Sequence, residues 1–323
     1  MASIRFNNIY LGKSVSISSN DEKIFTKRTI KDYYNGEKTF EEAEEKQERI
    51  IIDDMLKSIN LDLIIGADLS NQIAITSKTM ANYNIPFLGI YNACASYPEG
   101  IIIASKLLDS KIKNIGVIVS SHNKTAEKSY RYPIEYGSLR KKCETYTLTS
   151  SVISQITKSK SNIKIESCTI GKVVDYNFVD VKNIGAVMAP SAASTLITHL
   201  KDLKRDISYY DLVITGDLGK IGSKLFEEIL LENDITLQNY IDAGSMIITD
   251  ENLSLMGGSG PVCLPLFLTE KIIKQNKYKH ILIIGTGSLH NVSMVNSKRS
   301  VPSISHIVSL EVLNWDIFIH LYL

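Results

Sequence analysis

The second half of this chain repeats the layout of the first in the same order, and that duplication narrows the folds open to it. Leu61 to Gln72 (LDLIIGADLSNQ) is echoed by Tyr210 to Gly222 (YDLVITGDLGKIG): an apolar strand, a glycine, an aspartate and a helix start. Phe87 to Leu108 (FLGIYNACASYPEGIIIASKLL) is echoed by Leu253 to Ile273 (LSLMGGSGPVCLPLFLTEKII), and Asn114 to Asn123 by His280 to Asn291. Three echoes in one order imply two copies of a βαβ-type unit, a pseudo-twofold between them and a cleft where they meet. The expected division is 1–165 and 166–323. One asymmetry marks where chemistry belongs: Cys94 stands where strand turns into helix in the first copy, and the second has no such cysteine there.

With 323 residues the chain can bury a large duplicated core. A net charge of +1 gives no bulk field toward nucleic acid or an acidic surface. Only seven of the 36 basic residues are arginines. The four cysteines (Cys94, Cys143, Cys168, Cys263) show neither a C-x-x-C pair nor zinc spacing, which fits free thiols in a reducing compartment and no metal site. The N-terminus lacks the apolar core of a secretory signal. Apolar runs are strand-length, short of the roughly 20 residues of a spanning helix. The apolar tail Val312 to Leu323 reads as a packed terminal strand or as a surface for a membrane or partner.

Helical spacing covers 40–59, with Ile50, Ile51, Met55 and Leu56 on one face. Strand 61–65, a helix near 71–82, strand 87–91, a helix to about Leu108 with Pro98 in its first turn, and strand 115–119 follow. Residues 121–149 show no long period and read as an extended loop, and strand patterns return at 152–156 and 163–170. Strands alternating with helices point to an α/β architecture, with helices flanking mostly parallel sheets.

Cys94 sits among small residues (Asn92-Ala93-Cys94-Ala95-Ser96) at a helix start, where the dipole lowers a thiol pKa and favours anions; the alternative is a small buried cysteine filling a seam. His122 and Asn123 directly follow a strand, a usual place for site residues in open α/β sheets. Arg131, between Tyr130 and Tyr132, is a fork for a carboxylate beside rings able to hold a flat ligand. Asp68 and Asp217 occupy matched strand ends, as site residues or as helix N-caps. Gly257-Gly258-Ser259-Gly260 fits no nucleotide motif, but its N–H groups suit an anion nest. Gly285-Thr286-Gly287 is a weaker signal of the same kind, and no cofactor is indicated.

Duplicated halves with a strand–Cys–helix turn in the first resemble the thiolase-like superfamily, whose fold is layered α-β-α-β-α. Within it the chain resembles the stage V sporulation protein AD family. The segments that carry this are GADLSNQ (66–72), IPFLGIYNACAS (85–96), SSHNKTAEKSYRYPIEYG (120–137), IGKVVD (170–175), VMAPSAAST (187–195), DLVITGDLGKIGS (211–223), GGSG (257–260), GTGSL (285–289) and SVPSISHIVSLE (300–311). The resemblance implies binding of dipicolinic acid (pyridine-2,6-dicarboxylate), or its calcium chelate, for uptake into the developing spore. It further implies partners among the stage V sporulation membrane proteins, a peripheral place on the cytoplasmic side of the forespore inner membrane, and a homodimer.

A pocket for that ligand needs donors for two carboxylates and an apolar or aromatic wall. Cys94 with the N–H groups after it, His122, Asn123, Arg131, Asp217, Lys220 and Gly258 are the candidates for the polar side; Tyr132 and Tyr136 are the wall. The superfamily's condensing enzymes pair the cysteine with histidine or asparagine from the second half. Here those places hold Gly216-Asp217 and Met256-Gly257, which favours binding over catalysis. The alternative is an acyl-CoA-dependent acyltransferase with Cys94 as nucleophile. Departures from the family pattern are Ala243, Ala95 and a stretch after GGSG reduced to Cys263 between Pro261 and Pro265.

Overall fold

The structure, a computed structural model, describes residues 1–24, 26–130 and 141–313. The first half contributes β1 (Ala2–Arg5), β2 (Tyr10–Ser19), β3 (Thr29–Ile30), β4 (Leu63–Ala67), β5 (Phe87–Gly89), β6 (Asn114–Ser121), β7 (Tyr146–Thr147) and β8 (Ser150–Thr157). The second contributes β9 (Ile163–Ile170), β10 (Leu212–Thr215), β11 (Tyr240–Asp242), β12 (Gly258–Ser259), β13 (His280–Ser288) and β14 (Ser303–Val312).

The duplication is visible in strand order. The first copy runs β5-β4-β6-β8-β2 and the second β11-β10-β13-β14-β9, the same order position for position. In each copy the second strand pairs parallel on both sides (β4 with β5 and β6, β10 with β11 and β13), and the last two pairings are antiparallel. The copies join edge to edge through β2 and β9, with Tyr10 opposite Lys164 and Leu11 opposite Ile163. This order makes β9 the first strand of the second copy, so the copies meet just ahead of Ile163.

Helices fill three layers around these sheets. α1 (Phe40–Leu56) and α2 (Ala74–Met80) cover the outer face of the first copy, where Ile51, Ile52 and Met55 meet Ile64, Ile118 and Ile153. α1 opens on a capping box, Thr39 with Glu42, which satisfies two otherwise orphan N–H groups. α5 (Ile184–Leu203) and α6 (Gly219–Leu231) cover the second copy. Between the sheets lie α3 (Ser96–Leu107) and the helical run from α8 (Cys263–Phe267) through a wide turn to α9 (Ile273–Gln275). Tyr97 and Ile101 of α3 and Leu264 and Leu266 of α8 are fully buried there. The result is the expected α-β-α-β-α layering. Strands covered on both faces are continuous apolar runs (Leu63 to Ala67 is buried throughout), as parallel strands under helices must be.

Two expectations need correction. The counterpart of β5 is β11, not the LSLMG stretch; Leu253 to Gly257 is loop, and only the α8–α9 part of that echo matches α3. The supposed loop 121–149 contains α4 (Asn123–Tyr130), a short polar helix held by buried Ala126 and Thr125, with too few apolar residues to show a period. α5 shows no regular apolar spacing because Gly185, Ala189, Ala192 and Ala193 interrupt its larger buried residues, among them Met188, Leu196 and Leu200. Those small residues let it touch α6: a Cβ on Gly185 would lie 2.0 Å from the Leu218 carbonyl oxygen, and one on Gly222 2.7 Å from that of Gly185. The last short helices are α7 (Ala243–Ile247) and α10 (Val292–Asn296).

Candidate functional site

The C-terminal ends of the parallel strands from both copies face one cleft, and the turn carrying Cys94 enters it between β5 and α3. Ala93 adopts φ 48°, a left-handed conformation that costs an alanine about 1–2 kcal/mol. The turn is pressed against β13 of the other copy. A Cβ on Gly285 would lie 2.6 Å from Pro98 Cγ, and one on Gly287 would lie 2.5 Å from the Asn92 carbonyl oxygen. The Gly-Thr-Gly run is therefore strand, not an anion-binding turn; its glycines admit the cysteine loop. His306 of β14 pins the same loop, with Nε2 2.8 Å from Asn92 Nδ2 and Nδ1 accepting from Gly171 N–H at 3.2 Å.

The partner of the Cys94 thiol is Asp217. Its carboxyl, fully buried, accepts from the thiol, from Gly260 N–H at 3.1 Å and from Thr286 Oγ1 at 2.9 Å. Burial lifts Asp217 to about 7 despite those bonds, with Asp242 adding to the rise. Burial and the neighbouring Asp217 push the Cys94 thiol well above its ordinary value. The expectation of a dipole-lowered thiol is thereby overturned: one turn of helix dipole does not offset desolvation plus an adjacent acid. Cys263, also fully buried, is raised well above its ordinary value by burial and the same aspartate. A thiol that shares its proton with a carboxyl is a poor nucleophile near pH 7.

Asp217 caps no helix, whereas Asp68 serves an N–H in the first turn of α2, that of Thr76. α6 begins after Leu218, and the acid that takes the Leu218 and Gly219 N–H groups is Asp242. Asp68 also accepts from Ser70 N–H.

The cleft beyond Cys94 encloses about 740 Å3 including its open mouth. Its apolar walls are Leu69, Ala126, Val181, Ile184 and Met188; Thr145, Thr147, Ser259, Gly260 and Ser288 supply hydroxyls and backbone. Charge comes from Lys182, Glu127 and Glu144, with Lys182 Nζ 2.9 Å from Glu144 Oε1. His290 lies on the wall, and burial next to Lys182 lowers it to about 4, so it is neutral at pH 7.

Of the residues singled out from sequence, Cys94 lines the cleft and Asp217 stands directly behind it. His122 and Asn123 do not line it. His122 is buried with Nε2 2.7 Å from Tyr33 O and Nδ1 accepting from Lys124 N–H, and Asn123 Nδ2 donates to Thr147 O at 3.1 Å. Burial lowers His122 to about 4. Gly258 pairs with Tyr146 in the β12–β7 ladder and backs onto Gly244, while its neighbours Ser259 and Gly260 face the cleft. Lys220 is exposed on α6, 3.7 Å from Glu251. Arg131, Tyr132 and Tyr136 lie outside the described residues. Sequence reasoning missed Thr286, Lys182, Glu144 and His290. Thr286 sits in a strand taken for a turn, and Lys182 lies in a polar stretch without period, so only the three-dimensional contact reveals either. Among the described residues no group of His, Cys, Asp and Glu is placed to hold a metal ion, and no helix is long and apolar enough to cross a membrane.

Comparison with known proteins identifies the family and the fold. The family model for stage V sporulation protein AD matches residues 20–311. Stage V sporulation protein AD of Bacillus subtilis (strain 168) is 34% identical over 294 residues, 88% of this chain and 87% of the relative. Among solved structures, Xanthomonas campestris OleA with bound lauric acid and lauroyl-CoA superposes with a TM-score of 0.59 at 13% identity, covering 94% of this chain and 99% of that one. The 3-oxoacyl-[acyl-carrier-protein] synthase III of Aquifex aeolicus VF5 gives 0.55 at 14% identity, with coverage of 94% and 99%. At such identities the likeness is one of fold, the thiolase-like fold of condensing enzymes. The chain belongs to the stage V sporulation protein AD family, a family of sporulation proteins.

Proposed function

We propose, from membership of that family, that this protein binds dipicolinate or its calcium chelate in the Cys94 cleft and does so without turnover. The observation that carries the second half of this reading is the Cys94–Asp217 pair. A condensing enzyme needs a thiolate and a base that accepts its proton, whereas here the thiol faces an acid that disfavours the thiolate.

The cleft suits a small planar diacid. Leu69, Val181, Ile184 and Met188 offer apolar area for a ring. Lys182 supplies a cation for one carboxylate, and Ser259, Gly260 and Ser288 supply donors for the other. Glu127 and Glu144 suit the metal of a chelate, since dipicolinate leaves calcium several of its 6–8 oxygen positions open. Arg131, Tyr132 and Tyr136 remain candidates carried over from the family motif. The same reading makes the protein a peripheral partner of the stage V sporulation membrane proteins on the cytoplasmic face of the forespore membrane. A homodimer is supported by the edge strand β5, on which Leu88 is 42% exposed and just after which Tyr91 is 44% exposed.

Titration calorimetry with dipicolinate, with and without calcium, tests this. Saturable binding is expected, weakened at least tenfold by Lys182→Ala, in line with the 2–5 kcal/mol typical of truncating a buried charged contact. Heats indistinguishable from dilution under both conditions refute it.

A further inference from the structure

Behind the first-half wall of the cleft lies a group of buried carboxyls. Glu44 and Glu48 stand one turn apart on the inner face of α1, and Asp68 follows the end of β4; all three are at most 1% exposed. Thr76 Oγ1 of α2 lies 2.7 Å from Glu48 Oε1 and 2.8 Å from Asp68 Oδ2. A hydroxyl has one proton, so it donates to one of these oxygens and accepts from the other. Asp68 already accepts from Ser70 N–H, Thr76 N–H and the Ser70 hydroxyl, so the acid that must hold a proton is Glu48. Glu48 Oε2 has no hydrogen-bond partner among the described residues, a tolerable state for a neutral acid and a costly one for an anion. Glu44 differs, because the Ser120 hydroxyl donates to its Oε1 at 2.8 Å and Ala126 N–H already serves the His122 carbonyl. Thr125 Oγ1 lies 2.8 Å from Glu44 Oε2 and 2.9 Å from the His122 carbonyl oxygen, and it is free to donate to Glu44.

We propose that Glu48 is kept as a neutral acid and that its proton latches the cleft wall, which loosens when it leaves. The connection to the cleft is covalent: Asp68 precedes Leu69, which lines it. The titratable groups facing Glu48 are Glu44 on its own helix, Asp68 after β4 and Tyr83 beyond α2; β6 adds the Ser120 hydroxyl. Burial, with Asp68 next, lifts Glu48 to about 8, and the same two causes hold Glu44 well above its ordinary value. For an acid raised in the folded state, the folded protein holds the extra proton between the ordinary value, 4.5, and about 8. The stabilisation is complete below that window and is lost as pH rises through it.

The test uses the full chain without ligand, so its failure is separate from any failure of the dipicolinate reading. Carbon-13 NMR of glutamate-labelled protein should show a carboxyl titrating near 8 that disappears in Glu48→Gln, whose amide still donates to Thr76 but has no proton to lose. Amide exchange across 69–76, corrected for intrinsic rates, should rise roughly tenfold per pH unit between about 5 and 7 in the parent, level off above that midpoint, and stay flat throughout in Glu48→Gln. A Glu48 carboxyl titrating in the ordinary acidic range overturns the proposal, as does an equal rise in Glu48→Gln. Should that variant not fold, the titration of the parent decides alone.

Discussion

Replacing Asp217 by Asn should make Cys94 more reactive, the reverse of what removing a catalytic base does. Asp217 titrates near 7, so at pH 8.5 it is mostly a carboxylate hydrogen-bonded to the sulfur. Two unit charges about 4 Å apart repel by about 4 kcal/mol at an effective dielectric constant of about 20. At 1.4 kcal/mol per factor of ten, that sets a ceiling near a thousandfold on the thiolate fraction. Asn leaves the burial of Cys94 unchanged, and burial is the larger cause of the raised thiol, so the realised gain is on the order of 10- to 100-fold. The assay is iodoacetamide alkylation at pH 8.5, followed cysteine by cysteine by peptide mass spectrometry. Cys143, which is partly exposed, serves as the reference in the same sample, because Asp217 is not among the groups shifting it. An unchanged or slower Cys94 rate, with the reference constant, would refute the pairing on which the non-catalytic reading rests.

Two further outcomes follow from the same geometry. Gly287→Ala places a Cβ 2.5 Å from the Asn92 carbonyl oxygen, so a loss of about 1–3 kcal/mol is expected in denaturant unfolding, typical of overpacking; unchanged stability would mean the cysteine turn is not pressed against β13. Glu22 is buried and accepts from Ser19 N–H, Thr149 N–H and the Ser150 hydroxyl, and burial lifts it to about 7. Its contribution is therefore full below 4.5 and lost as pH rises to about 7, so Glu22→Gln should flatten part of the fall in Tm across that interval, and an identical slope would count against it.

The duplicated fold was legible because strands buried on both faces leave unbroken apolar runs, and Leu63 to Ala67 and Leu212 to Thr215 do so in both copies. The five-layer stacking came from resemblance. Elements interrupted by small or polar residues were not legible: α5 interleaves glycine and alanine with its larger buried residues, and α4 is too short and polar for a period to show. Cys94 was found because its turn is unusual in composition. Asp217 was noticed for its matched position, but its role was not, because a strand-end aspartate looks the same whether it caps a helix or meets a thiol from the other copy. His122 shows the converse. Its place after a strand suggested a ligand contact, yet both ring nitrogens serve the backbone of Tyr33 and Lys124.

The most direct measurement is a crystal structure of the protein soaked with dipicolinate and calcium. The account predicts a planar dicarboxylate beside Cys94, one carboxylate on Lys182, and an unmodified sulfur still bonded to Asp217. A ligand bound elsewhere, or a sulfur turned from Asp217 toward His290, would contradict it.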